Sequence, residues 1–484
     1  MRWIIVVASI SVLSALPAAA QQPEDVRREP FTLQLGDREV ETELARLVVP
    51  ANRDREGAGT LEIAYVVLPA TTDTPGAPIV YLAGGPGGSG ISAAGIPYMA
   101  ELFEALREVA DVVLVDQRGT GRSIPRLTCA IEEPVPADVF ASRERMLELY
   151  GIAAARCAER FHAEGIDPSD FDTAESADDL EDLRRALGAE RISLLGFSYG
   201  THLALATIRR IGDRIERAVL AGTEGLGESY KLPSTYDAQI RTLAGLAARD
   251  PEVGPVVPDL EATLRGVLDR LSREPVSVTV TDRNGTPVEL TIGAEGLLYL
   301  LRRDLGDTND LPLFPAWIHE MAAGGTDILE EFASKRYGEM SRGISIMSIA
   351  MDCASGADPD RMARIEDEIP GSILGPMTNL LDPEGCGFVD AEELDASFRA
   401  PFGSDVPALF ISGTLDSNTP PWQAEAARSG FSHAAHVVVE NAGHESTLPL
   451  PEVQTLIREF LSGEDVEDRR IASPPLEFVP IETM

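Results

Sequence analysis

The sequence predicts an α/β fold in which a mostly parallel sheet, flanked by helices, is interrupted by a large and mainly helical insertion. Three observations carry that expectation. Short apolar runs (Ala77–Leu82, Asp111–Val115, Arg191–Leu195, Arg217–Ala221) alternate with stretches of helical periodicity, the pattern of strands buried on both faces. Residues 225–400 lose this rhythm and read as helices separated by proline-containing breaks. The rhythm then returns at Val406–Ser412 and Ala435–Glu440. One layered core split by one insertion is the simplest architecture, and 484 residues suffice to bury it.

Taken in order, the chain opens with Arg2, an apolar run from Trp3 to Leu16 and the ending Ala18-Ala19-Ala20. That is the make-up of a secretory signal, spanning 1–20 and cut after Ala20. The run is short for a membrane span, and Ser9, Ser11 and Ser14 interrupt it. Residues 24–30 are polar and expected to be mobile. Two or three β-like runs fill Phe31–Leu68, among them Leu61–Leu68. Helices are expected at Tyr98–Val109, Ala177–Leu187, Thr201–Ile211, Pro420–Arg428 and Val453–Leu461. Within the insertion, Val276–Thr281 and Val288–Ile292 flank Asn284-Gly285 and read as a hairpin. The resulting division is a first core part at 31–224, a lid at 225–400, a second core part at 401–465 and a tail at 466–484. The tail is acidic and then proline-rich, and either packs back or stays loose.

With 44% hydrophobic and 25% charged residues, the composition is that of an ordinary globular protein. The charge is not ordinary. Seventy-nine Asp and Glu against 41 Lys and Arg leave a net −38, and Lys231 and Lys335 are the only lysines. Such a surface repels phosphate backbones and anionic lipid, so no nucleic acid is expected as a partner, and no membrane after signal cleavage. Export to a secreted or periplasmic location makes disulfides the expected state of the four cysteines. Pairing neighbours in chain order gives Cys129–Cys157 and Cys353–Cys386, each worth about 3–4 kcal/mol by loop entropy; the other pairings stay open. No Cys spacing suits a metal, and His433 and His436 lack a carboxylate motif beside them. No metal and no cofactor are therefore expected.

Gly196-Phe197-Ser198-Tyr199-Gly200 is a G-x-S-x-G segment lying directly between a predicted strand and a predicted helix. A tight strand-to-helix turn holds such a serine in a strained conformation, and small flanking residues relieve the crowding. A serine hydroxyl needs a base to take its proton and an acid to orient that base. Of six histidines, His444 stands in a turn (Asn441–Glu445) just past the last strand, where an α/β sheet gathers its chemistry. His162, His202 and His319 fall in helical stretches. Asp416, four residues past the penultimate strand, is the preferred acid; Glu224, after Val219–Ala221, is its rival.

Gly85-Pro86-Gly87-Gly88-Ser89-Gly90 formally satisfies G-x-G-x-x-G, with Asp116 ending the next strand. Pro86, however, removes a donor that a phosphate turn would use. An oxyanion loop is the better reading, with the backbone N–H groups of Gly85 and Tyr199 facing a developing negative charge.

Gly84-Gly85-Pro86-Gly87, the run Asp116–Ser123 (D-Q-R-G-T-G-R-S) and the segment around Ser198 resemble the prolyl iminopeptidase and tripeptidyl aminopeptidase group of α/β-hydrolases. Gly413–Pro420 and Gly443-His444-Glu445 are similar to that group's acid and base segments. The cysteines, the long insertion and the signal segment resemble its secreted tripeptidyl-aminopeptidase branch. The resemblance implies an α/β-hydrolase fold and a secreted serine exopeptidase that cleaves short peptides from the N-terminus. It implies Ser198, Asp416 and His444 as triad, a small peptide as substrate, and Asp116 and Arg118 as a structural ion pair bracing the oxyanion loop. By position at the start of the insertion, Glu224 and Glu228 are the candidates for binding a substrate's free amine. Where iminopeptidases carry His before G-G-P-G, this chain has Ala83, which leaves proline preference open. An esterase or lipase with the same triad, or a binding protein on the same scaffold, are the alternatives.

Overall fold

The computed structural model describes residues 26–481 except 133, 283, 307, 308, 341 and 342. The expected signal segment lies outside the described residues. The central sheet has ten strands: β1 (Val26–Leu35), β2 (Arg38–Pro50), β3 (Thr60–Leu68), β4 (Ile79–Leu82), β5 (Val112–Asp116), β6 (Ile192–Phe197), β7 (Ile215–Ala221), β8 (Ala408–Gly413), β9 (Ala434–Val439) and β10 (Arg469–Ile471). Their order is β1-β2-β3-β5-β4-β6-β7-β8-β9-β10. Strands β4 to β10 run parallel, and β1 to β3 add an antiparallel meander at one edge. The sheet continues across the insertion, because β7 pairs with β8 from Ala218↔Ala408 to Ala221↔Ile411.

The expectation that 24–30 is mobile fails from Val26 onward. That stretch is the start of β1, which pairs with β2 along its whole length. The polar composition concealed a period-two pattern in which Leu33 and Leu35 turn inward. Gly36, with φ +60°, and Asp37 then close a two-residue hairpin.

Helices cover both faces of the sheet. Thr173–Ala186 and Tyr199–Ile211 bury Ala177, Leu180, Leu183 and Leu203 on one face. Pro97–Leu106 and Pro451–Leu461 bury Leu102, Phe103, Leu456 and Ile457 on the other. The insertion has a core of its own, around Leu264, Leu271, Leu297, Leu301, Trp317 and Phe332, on which the hairpin Val276–Thr281/Pro287–Ile292 packs. It is not a detached lid. The helix Arg143–Ala163 gives Met146 and Leu149 to the insertion core and Ala153, Ala154 and Phe161 to the sheet core. In the opposite sense, Ile346–Met351 from the insertion packs into the sheet core.

Cys129–Cys157 and Cys353–Cys386 are both disulfides. The first ties the stretch before the insertion to the bridging helix, and the second holds the helix Ile346–Ser355 to the turn at Cys386–Val389. The tail packs back. Arg469–Ile471 pairs with β9, and Leu476, Phe478 and Ile481 lie against the insertion core. Among the described residues, no helix is long and apolar enough to cross a membrane.

Candidate active site

The turn from β6 into the helix Tyr199–Ile211 carries Ser198 at φ 54° and ψ −124°, a conformation outside the ordinary regions. Holding a non-glycine residue there costs about 1–3 kcal/mol, which the surroundings must outweigh. The flanking glycines explain how. A Cβ on Gly200 would stand 2.0 Å from the Leu82 carbonyl oxygen, and one on Gly196 would stand 2.6 Å from that of Gly200. The turn closes because both side chains are missing. Ser198 N–H then donates to Ala221 O at 2.9 Å, pinning the turn to β7.

Two loops beyond β8 and β9 meet this serine. His444 Nδ1–H donates to Asp416 Oδ2 at 2.8 Å, and in that tautomer Nε2 accepts from the Ser198 hydroxyl at 2.9 Å. Phe197 packs its ring against the imidazole, centroids 5.1 Å apart. Asp416 is fixed by three further donors. Asn418 N–H (2.8 Å) and Thr419 N–H (2.9 Å) reach Oδ1, and the Thr419 hydroxyl (2.6 Å) reaches Oδ2. Burial pushes the Asp416 carboxyl up, but the His444 charge and these hydrogen bonds outweigh it and hold it below the usual range. Burial pulls His444 down, but the charge and hydrogen bond of Asp416 outweigh it and hold the imidazole above its ordinary value. Hydroxyl, imidazole and carboxylate in such a line can pass a proton from oxygen to nitrogen and keep the resulting imidazolium paired.

Tyr199 opens its helix, so its N–H is among the first-turn groups without an intrahelical partner. The glycine loop closes from the other side. A Cβ on Gly84 would stand 2.9 Å from that of Ser198, and Gly85, at φ +128°, follows it along the rim. The loop is held by Gly88 N–H on Gly84 O (3.0 Å), by Gln117 Nε2 on Ala83 O (3.2 Å) and by the Ser348 hydroxyl on Pro86 O (2.8 Å).

The expected ion pair between Asp116 and Arg118 is not formed. Asp116 accepts from Ser89 Oγ (2.6 Å), Ile91 N–H (3.1 Å) and Arg122 N–H (2.7 Å), and so braces the loop without a cation. Arg118, fully buried, instead pairs with Asp179 (2.7 Å) and donates to the carbonyls of Ala51 and Asp170. Those acceptors come from distant segments that converge beneath β2, and together they offer the guanidinium more partners than Asp116 could.

Ser198 and His444 open into a cleft of about 660 Å³ between the sheet's edge and the insertion. Glu224 lines it, but Lys231 Nζ sits on its Oε2. Glu228 does not line it. Its carboxylate accepts from Gly225 N–H (2.9 Å) and Gln423 Nε2 (2.8 Å) and faces Arg361 (3.5 Å), so the expectation that it meets substrate is corrected. His202 and His436 are buried and hydrogen-bonded elsewhere, to Ser355 and Gly225 O and to Glu425 and Ser412 respectively. Among the described residues no cluster of His, Cys, Asp or Glu could hold a metal. Sequence reasoning overlooked Thr419, although an Asp followed by polar residues at i+2 and i+3 is an Asx-turn signal. It also overlooked Lys231 and Ser348, for which no local signal exists.

A serine on a strained elbow at the carboxyl edge of a parallel sheet, with acid and base on the next strand loops, is the arrangement of the α/β-hydrolase fold. Residues 77–266 match the family described as alpha/beta hydrolase fold. Residues 377–471 match a second, described as TAP-like protein. The chain is 31% identical over 185 residues to the serine protease Hip1 of Mycobacterium tuberculosis, covering 37% of this chain and 35% of that one. To the tripeptidyl aminopeptidase of Streptomyces lividans it is 32% identical over 155 residues, covering 29% and 27%. The matches thus span about a third of the length of these relatives. Among solved structures, a proline iminopeptidase of Mycobacterium smegmatis aligns over 87% of this chain and 98% of its own, at 15% identity and a TM-score of 0.39.

Proposed function

We propose that the protein is a secreted serine exopeptidase that releases short peptides from the N-terminus of its substrates. The single observation that carries the reading is the continuous hydrogen-bonded line from the Ser198 hydroxyl through His444 to Asp416, opening into a charged cleft. Ser198 attacks the scissile carbonyl as His444 Nε2 takes its proton. The N–H groups of Tyr199 and Gly85 receive the oxyanion, each such donor being worth on the order of 10²–10³ in rate. His444 then returns the proton to the leaving amine, and water repeats the sequence to release the acyl group.

The lining argues for peptides over fatty acyl chains, because Glu224, Lys231, Arg302 and Glu445 would each be desolvated by a lipid tail. A substrate ammonium would displace Lys231 from Glu224, which gives the free N-terminus a partner inside the cleft. Two disulfides agree with an exported protein.

The test compares tripeptidyl p-nitroanilides with a free amine, the same peptides acetylated, and neutral p-nitrophenyl esters. The reading expects free-amine peptides to be cleaved with the highest kcat/KM. Equal rates on acetylated peptides would remove the N-terminal preference, and turnover of esters alone would favour an esterase.

A further inference from the structure

The chain carries 79 carboxylates, 41 Lys and Arg and just two lysines, yet both lysines line the candidate active-site cleft. Arg302, Arg303 and Arg336 join them there, against Glu224, Asp304, Glu339 and Glu445. In so acidic a protein, cations outnumbering carboxylates at one place is unexpected. Most of them are neutralised locally. Lys231 is on Glu224, and Lys335 (2.7 Å) and Arg336 (2.6 Å) share Asp304.

Arg302 and Arg303 have no such contact. Both end the helix Ala294–Asp304, and among the described residues neither has an ion pair or a side-chain hydrogen bond. The helix C-terminus accounts for a cation being favourable there, but not for the missing partners. Arg302 is also held in place. Its Nε is buried without a hydrogen-bond partner, and its guanidinium lies 5.8 Å over the ring of the fully buried Tyr236. The Tyr236 hydroxyl donates to Asn418 Oδ1 at 2.7 Å, and Asn418 N–H in turn donates to Asp416. The cation therefore packs on a tyrosine that is hydrogen-bonded to the loop holding the acid. Two buried carboxyls share its field without touching it: burial pushes up Asp352 and Asp382, the latter to about 6, so Asp382 still carries charge at neutral pH and offsets part of the Arg302 charge from a distance. A groove of about 310 Å³ shares Arg303 and Glu339 with the cleft and adds Arg126, another exposed arginine without an ion pair.

We infer that Arg302 and Arg303 form an anion subsite that binds a carboxylate of the substrate, either an Asp or Glu side chain or the C-terminal carboxylate of a short peptide. The inference rests on the peptidase reading and names its substrate class as acidic short peptides. Planar guanidinium pairs a carboxylate through parallel hydrogen bonds, and a positive wall inside a negative molecule selects for such a substrate against the general repulsion.

The experiment measures kcat/KM for peptide series matched in shape: Glu against Gln at each position, and C-terminal acid against C-terminal amide. The two series separate the side-chain source from the terminal one. In the intact protein one acidic series should exceed its neutral counterpart at least about tenfold, the scale of one charge-assisted hydrogen bond. That ratio should fall in high salt and approach one in Arg302→Gln/Arg303→Gln, chiefly through KM. A ratio of one in the intact protein, or an unchanged ratio in the variant, overturns the subsite. Neutral p-nitrophenyl acetate and mono-p-nitrophenyl glutarate form a parallel arm. Preference for the glutarate ester with no peptide cleaved would sink the peptidase reading and keep the subsite; peptide cleavage without charge preference does the reverse.

Discussion

Asp416→Asn should lower kcat/KM by about 10⁴-fold, or about 5 kcal/mol of transition-state stabilisation, while leaving the fold intact. Oδ1 of Asp416 receives two backbone N–H groups, at 2.8 and 2.9 Å, which would keep the amide oxygen of the asparagine on that side. The NH2 group then occupies the place of Oδ2, facing the Thr419 hydroxyl and His444 Nδ1. The threonine hydroxyl rotates and accepts. The imidazole has no such freedom: Nδ1 must become an acceptor, which moves its proton to Nε2. That nitrogen would then donate to the Ser198 hydroxyl instead of accepting from it, and the base is lost. Kinetics on a free-amine tripeptidyl anilide measure the effect, with thermal melting to show that the fold survives. A folded variant within tenfold of the parent refutes the assigned hydrogen-bond directions.

Because His444 is held above the usual imidazole value and must be neutral to accept a proton, kcat/KM should fall as pH drops through that raised pKa. The acidic limb then lies above the ordinary value of about 6.5; a limb clearly below it contradicts the pairing with Asp416. Gly200→Ala forces a Cβ to 2.0 Å from the Leu82 oxygen, so urea unfolding should show a loss above the usual about 1–3 kcal/mol of overpacking, and an unchanged midpoint would show that the elbow is looser than described. Arg118→Met removes the fully buried cation shared by Asp179 and Glu175 and leaves both to Arg53, which also pairs with them, so it should cost up to about 3–5 kcal/mol in the same measurement; a neutral result would show that Arg53 suffices for that network.

The sheet strands were legible because each is a short apolar run, and the elbow because Gly196 and Gly200 are a local steric requirement. Asp416 and His444 were legible from their place just past two such runs. Features set by convergence of distant segments were not. Arg118 stands two residues from Asp116, yet its acceptors come from Ala51, Asp170 and Asp179. Glu228 begins the insertion as Glu224 does, but a turn aims it at Gly225 and Gln423. The strand β1 was concealed by composition, since its first residues are exposed on an edge and only Leu33 and Leu35 are fully buried. The bridging helix Arg143–Ala163 was missed because much of its buried stripe is made of small residues (Gly151, Ala153, Ala154, Cys157 and Ala158), which carry little apolar signal.

The central claim is that Ser198 is the nucleophile of an N-terminal exopeptidase. Treating the protein with a fluorophosphonate, mapping the adduct by mass spectrometry and following peptide release in the same sample tests it most directly. The account predicts one adduct, on Ser198, appearing at the rate at which release of short peptides is lost. An adduct on another residue, or peptide release that persists once Ser198 is fully modified, would contradict it.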